Sequence, residues 1–191
     1  MPQRNLREQI VDGATRVLYE QGYHAASVND IVAAAGVPKG SFYNHFESKE
    51  ALALEVTRRY SASYDLDAVR AGDAPPLARL RAHFEHVIER NVEHGVEHGC
   101  LLGNFSTELA AHSSAICQHV AASFAQWSDA VADALRQAQR AGDLDERVDP
   151  KALGSYLVDA YEGAVARARV TGERAPLDAF VTTTFDVLLT R

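Results

Sequence analysis

The chain has 191 residues, 19 Lys+Arg against 26 Asp+Glu, a formal charge of −7 and 47% hydrophobic residues, a balance that suits a folded globular protein and excludes a disordered one. No window near 20 residues lacks charge, which excludes a membrane span, and the polar, periodic start MPQRNLREQIVDG is not that of a secretory signal. Two cysteines, Cys100 and Cys117, cannot build a disulfide framework or a four-Cys zinc site, and they place the chain in the reducing cytoplasm.

Helical period runs through almost every segment, and no strand pattern interrupts it. Leu6, Ile10, Ala14 and Val17 form one apolar stripe, stopped by Gly22. Ser27 with Asp30 three residues on is a capping-box start for a second helix carrying Val28, Ile31, Val32 and Ala35, with Gly36 as its stop. Pro38 opens a short third helix to about Phe46, and Ser48 caps a fourth with Leu52, Val56 and Tyr60. After the break AGDAPP (71–76), Leu77, Leu80, Phe84, Val87 and Ile88 mark a fifth, interrupted by HGVEHG (94–99). An apolar run from Leu101 to Ala111 follows. Ser113 or Ser114 then caps a long helix with Ile116, Val120, Phe124, Trp127, Val131 and Leu135, ended by Gly142. Two more stretches, around Leu153–Ala160 and Leu177–Leu188, close the chain. The reading is all-α with about nine helices, a small N-terminal unit and a larger C-terminal bundle.

Residues 27–52, SVNDIVAAAGVPKGSFYNHFESKEAL, describe a helix, a tight glycine turn and a second short helix. That is a helix-turn-helix, whose second helix enters the major groove of duplex DNA. Here it presents Lys39, Ser41, Tyr43, Asn44 and His45, while Phe42 and Phe46 share a face that can anchor it. Gly40 lets a phosphate approach the backbone, and Lys49 stands beside the free N–H groups of the next helix. Residues 1–50 hold five Lys/Arg against six Asp/Glu. Phosphate contact therefore rests on a few positioned donors, and the salt dependence of binding is modest.

At AAGVPKGSFYNHFESKEAL the chain resembles the TetR family of transcriptional regulators, with specificity over residues 6–60 and more loosely over the helical remainder. The resemblance implies a homodimer on double-stranded operator DNA, released by a small-molecule effector bound in the C-terminal part. It assigns residues 1–48 to a helix-turn-helix DNA-binding domain and 49–191 to a ligand-binding and dimerisation domain. The implied DNA contacts are Arg4 as an N-terminal arm, Ser27, Gly40, and Lys39, Ser41 and Asn44 as base readers. Tyr43, His45 and Lys49 would hold phosphates. The fourth helix would be the lever between the two parts, and the last two helices would pair across the two-fold, the stripe Phe180, Thr184, Phe185 and Leu188 forming part of that face; core burial within one chain would leave the same pattern.

EHGCLLGNFSTELA (97–110) resembles a branch of the family that includes the NemR-like and AcuR-like regulators, which respond to reactive electrophiles or acrylate-type molecules through a thiol. The matching residue is Cys100. Thiolate is favoured at a helix start or near a protonated His, and His94 and His98 are close in sequence. A free cysteine is equally at home as a small buried apolar residue, which is the reading for Cys117. Some members of the branch pair the thiol with a lysine near an EGA-like stretch. EGAVARARV (162–170) offers Arg169 and no Lys, which leaves alkylation or non-covalent binding. Candidate effector contacts are Asn104, Phe105, Trp127 and Tyr161, with Phe84 and Glu108 behind them; core packing explains each equally well.

Two other readings compete. His83, His86, His94, His98, His112 and His119 crowd one region, and its 83–98 part, with Glu93 and Glu97, would suit a metal-sensing regulator. A small helical-bundle enzyme would need Glu-x-x-His pairs, or a Gly-x-Ser-x-Gly elbow for a hydrolase, and neither occurs. No catalytic residue, metal site or cofactor is assigned.

Overall fold

The computed structural model describes residues 5–110 and 114–190; Arg4, His112, Ser113 and the side chain of Ser114 lie outside them. In chain order come α1 (Leu6–Ala25), α2 (Val28–Ala35), α3 (Lys39–Tyr43), α4 (Lys49–Ala62), α5 (Leu66–Arg70) and α6 (Pro76–Glu93). A 3-10 turn (Val96–His98), α7 (Leu101–Glu108), α8 (Ser114–Ala141), α9 (Pro150–Thr171), α10 (Ala175–Thr183) and a π turn (Thr184–Leu188) complete them. The described residues contain no strand, so the fold is all-α as the periodicity predicts. The helix beyond the nine expected is α5, whose five residues are too few for a 3.6-residue period to register.

Local chemistry sets the boundaries. The Ser27 side chain accepts the Asp30 N–H while the Asp30 carboxylate accepts the Ser27 N–H, so two orphan donors at the start of α2 are satisfied reciprocally. Gly36 ends α2 in the left-handed region at φ 68°, and the Ser48 hydroxyl accepts the Ala51 N–H to open α4. The path of α1 breaks at Gly22 (φ 79°, ψ 174°) as expected, with one further helical turn to Ala25.

The chain divides into two compact units, Met1–Ser63 with Leu101–Ala121, and Tyr64–Cys100 with Ala122–Arg191. In the first, α1 crosses α2 with almost no separation: a Cβ on Gly13 would stand 2.8 Å from the Ala35 nitrogen and 2.9 Å from its Cβ. Arg59 of α4 clamps α1 through two bonds to the Glu8 carboxylate, 2.6 and 2.9 Å, and is braced within α4 by a bond to Glu55 at 3.0 Å. These groups are partly exposed, so each pair contributes about 0.2–1 kcal/mol. The fully buried apolar side chains Ile10, Leu18, Ile31, Phe42 and Leu52 stabilise this unit more than those pairs do.

The second unit is built on an aromatic cluster. Trp127 is fully buried, with ring centroids 4.6 Å from Tyr64, 5.3 Å from Tyr161 and 5.9 Å from Phe84. Its indole N–H donates to His83 Nε2 at 2.7 Å. Burial drives the His83 pKa down to about 4, so the imidazole is neutral and can accept. Gly154 lets α9 meet α8 closely, since a Cβ there would lie 2.7 Å from the Ser128 carbonyl oxygen. Phe180 and Phe185 turn inward, with centroids 5.0 and 6.2 Å from Phe84. The expectation that the stripe Phe180, Thr184, Phe185 and Leu188 faces outward is thereby corrected: the first three are buried and Leu188 is exposed. Period alone does not separate a core face from a partner face.

Candidate functional site

The glycine turn fixes where α3 lies. The Val37 N–H returns to the Val32 carbonyl at 3.0 Å around left-handed Gly36, and Pro38 then starts α3 with its φ pre-set. Phe42 is fully buried and Phe46 nearly so, their rings 6.0 Å apart, which pins one face of α3 to the core of the first unit. The other face is left to solvent: Lys39, Gly40, Tyr43, Asn44 and His45 are exposed and Ser41 is half-buried. The side chains of Lys39, Ser41, Asn44 and His45 make no hydrogen bond or ion pair among the described residues. The helix is shorter than the sequence predicts, ending at Tyr43, with Asn44 as its C-cap and the Phe46 N–H returning to the Phe42 carbonyl at 2.9 Å.

Two of the expected DNA contacts meet prior commitments. The Ser27 hydroxyl donates to Asp30, which with the capping box holds the Asp30 carboxyl below the usual carboxylate range. The Lys49 ammonium donates to the carbonyls of Tyr23 at 2.8 Å and Ala26 at 2.9 Å and lies 4.2 Å from the Tyr23 ring centroid. Two of its three N–H groups thus close the end of α1, a structural task that its place in the sequence does not reveal. Burial lowers its pKa, and the nearby Glu108 charge opposes that shift. Glu108, the last residue of α7, accepts the Tyr23 and His24 N–H groups at 2.8 and 3.2 Å, and its carboxylate fills the space a Gly22 side chain would need. Arg4 lies outside the described residues.

Cys100 is 2% exposed. Two polar groups set against its thiol are the Tyr64 hydroxyl, 3.4 Å from Sγ, and the Glu162 carboxyl, which hydrogen-bonds it. Burial first, and then the Asp159 charge, push the Glu162 pKa up to about 7, against the lowering effect of that bond. Of the expected histidine neighbours, His94 Nδ1 meets the Arg90 carbonyl at 2.7 Å, and His98 stands 3.9 Å from the Glu97 carboxylate. Arg169 donates to the Glu97 carbonyl at 3.2 Å. Sequence reasoning missed Tyr64 and Glu162. The available signal was Glu162 itself, an acidic residue four after Val158 and three before Val165 on the apolar stripe of α9.

The other effector candidates fall into different cores. Asn104 and Phe105 belong to the first unit, where the Phe105 ring meets Tyr23 edge-on at 6.0 Å. Trp127 and Tyr161 belong to the second, where the Tyr161 hydroxyl accepts from Asn91 at 2.6 Å. None of the four lines either of two surface cavities in the second unit. One, of about 330 Å³, lies along α9 and α10 between Tyr156, Gly163, Arg167, Phe180 and Leu188. The second, of about 420 Å³, lies among Glu85, Glu89, Arg174 and Asp178. Among the described residues no three His, Cys, Asp or Glu side chains come together as a metal site, so the metal-sensing alternative finds no support in the geometry. No helix of the described residues is long and apolar enough to cross a membrane.

Two family models match the chain: "Bacterial regulatory proteins, tetR family" over residues 10–56 and "Tetracyclin repressor-like, C-terminal domain" over residues 76–184. The chain belongs to the TetR family. The HTH-type transcriptional repressor DhaR of Mycobacterium sp. (strain GP1) is 35% identical over 99% of this chain and 95% of that protein. The transcriptional regulator AcuR of Cereibacter sphaeroides is 33% identical over 95% of this chain and 85% of that protein. The crystal structure of a regulatory protein TetR from Rhodobacter sphaeroides superposes with a TM-score of 0.86 at 34% identity, covering 93% of this chain and 95% of that one. As a TetR-family member the chain is a ligand-responsive, DNA-binding transcriptional regulator and not an enzyme, and its α2–turn–α3 is the family's helix-turn-helix.

Proposed function

We propose that the protein is a cytoplasmic, homodimeric repressor that leaves its operator when a small electrophile or acrylate-type compound engages Cys100. The observation that carries the DNA half is the exposed polar face of α3, held outward by buried Phe42 and Phe46 and without internal partners for Lys39, Ser41, Asn44 and His45. In this reading residues 1–48 read DNA and residues 49–191 bind effector and partner. Lys39, Ser41 and Asn44 contact base edges. Tyr43 and His45 hold phosphates, and Gly40 admits the DNA backbone. Ser27 acts chiefly through the cap that fixes α2, and Lys49 through the clasp on α1 with one N–H left for a phosphate. Two recognition helices must sit about 34–36 Å apart to grip successive half-sites, and an effector that fits another spacing shifts the population off DNA. The partner face is the groove along α9 and α10, where Tyr156 and Leu188 are exposed apolar side chains.

Operator binding with and without acrolein, for wild type and Cys100→Ser, tests the effector half. Release in wild type and retention in the mutant is the expected pair, while equal release in both would move the effector to a non-covalent pocket. Asn44→Ala tests the base-reading assignment: relaxed preference at one position, worth about 1–3 kcal/mol, is expected, and unchanged relative site preferences would refute it.

A further inference from the structure

A buried carboxyl with an unused oxygen stands at the candidate thiol. Glu162 lies on α9 between the buried Tyr161 and Val165, and its carboxyl hydrogen-bonds Cys100. Its Oε1 is shut off from solvent and has no hydrogen-bond partner among the described residues. Packing alone gives no reason to keep such an oxygen, because an apolar side chain of similar volume would avoid the loss. The same carboxyl hydrogen-bonds a nucleophile, and the Tyr64 hydroxyl lies 3.4 Å from that nucleophile. A thiol, a base within reach and a third polar group are the parts of an activated nucleophile.

Resting on the reading of Cys100 as the sensing thiol, we propose that Glu162 is the proton-transfer group for addition of Cys100 to a short α,β-unsaturated carbonyl compound. The Glu162 carboxylate takes the proton from Sγ as the new Sγ–C bond forms at the β-carbon. The alkene electron pair shifts toward the carbonyl as an enolate. The carboxylic acid then returns the proton to the α-carbon. Thiol and alkene become one thioether, the carboxylate is regenerated and no other reactant enters. The Tyr64 hydroxyl donates to the sulfur while negative charge gathers there. Burial raises Glu162 to about 7, which brings a carboxyl base close to working pH. The charge that acts on it is Asp159 on the same helix; Arg90 stands 5.9 Å from the Tyr64 ring centroid, and the turn packed against α9 carries Glu97 and His98.

The test is the rate of adduct formation at Cys100 of the full chain with acrolein, followed by intact mass and peptide mapping across the neutral range. Wild type is expected to speed up through about pH 7 as Glu162 ionises, before an ordinary thiol at about 8.5 would. Glu162→Gln is expected to react at least about tenfold more slowly at neutral pH and to lose that inflection. Equal rates and profiles in the two proteins would overturn the role of Glu162 and leave Cys100 as a sensor. Absence of a Cys100 adduct in wild type would overturn the sensor reading and this proposal with it. Should Glu162→Gln fail to fold, Glu162→Asp decides: an inflection displaced from its wild-type position supports the proposal, and an unmoved one overturns it.

Discussion

Lys49 shows how one cation can be claimed by two tasks. Sequence places it at a helix start where a phosphate would sit, and the fold gives two of its donors to the Tyr23 and Ala26 carbonyls. Replacing it by Met keeps the apolar stem over Tyr23 and removes both bonds to a charged donor. Lys49→Met is therefore expected to destabilise the protein by about 1.5–3 kcal/mol in denaturant unfolding. The salt slope of operator binding should change by less than about one unit, since the slope counts phosphate contacts. A fall of a full unit with unchanged stability would make Lys49 a phosphate ligand first. Ser27 teaches the same lesson: its hydroxyl is legible as a cap from Asp30 three residues on, and here it accepts the Asp30 N–H while its own O–H donates to the Asp30 carboxylate.

At the scale of elements, α3 is held out by its neighbours rather than by its own propensity. Five residues cannot sustain an isolated helix, so Phe42 and Phe46 below it and the α1–α2 crossing beside it fix its position. That crossing depends on Gly13, where a methyl would press on the Ala35 backbone. Gly13→Ala is expected to cost about 1–3 kcal/mol of stability despite alanine's better helix propensity, and to weaken operator binding by displacing α2. A thermal midpoint at or above wild type would show that the crossing can open without cost. Within the same unit Glu108 ties the end of α7 to the Tyr23 and His24 N–H groups, so α7 joins helices that DNA contact requires.

Whole-molecule behaviour follows from buried titrating groups and from the α9–α10 face. His83 has a folded-state pKa of about 4 against about 6.5 in an unfolded chain, so the unfolded state binds more protons between these values. Its contribution is complete above about pH 6.5 and is lost as pH falls toward 4, amounting to at most about 3 kcal/mol. Glu162 runs the other way: its raised pKa of about 7 makes stability fall as pH rises from the ordinary carboxylate range through 7. The two contributions oppose each other in wild type, so unfolding midpoints between pH 4.5 and 7 should fall with pH in His83→Gln, which keeps an acceptor for Trp127 and leaves Glu162 to act alone, and rise with pH in Glu162→Gln. Parallel curves for both variants and wild type would show that neither group titrates as placed. On the α9–α10 groove, Tyr156→Asp puts a charge on an exposed apolar side chain. Sedimentation should then report a monomer, with operator affinity down by about 10²–10⁴-fold, the avidity of two linked half-site contacts. A dimer that persists would place the partner face elsewhere.

Periodicity, caps and glycine stops were enough to read the all-α class, the helix-turn-helix and the outward face of α3. These are local features, written within a few residues by the 3.6-residue turn and by side chains that satisfy nearby N–H groups. The tertiary structure alone decided that Lys49 closes α1, that Phe180 and Phe185 turn to Phe84, and that Tyr64 and Glu162 meet Cys100. Those contacts join residues from 23 to 101 positions apart, and a one-dimensional pattern says which face is apolar without saying what covers it.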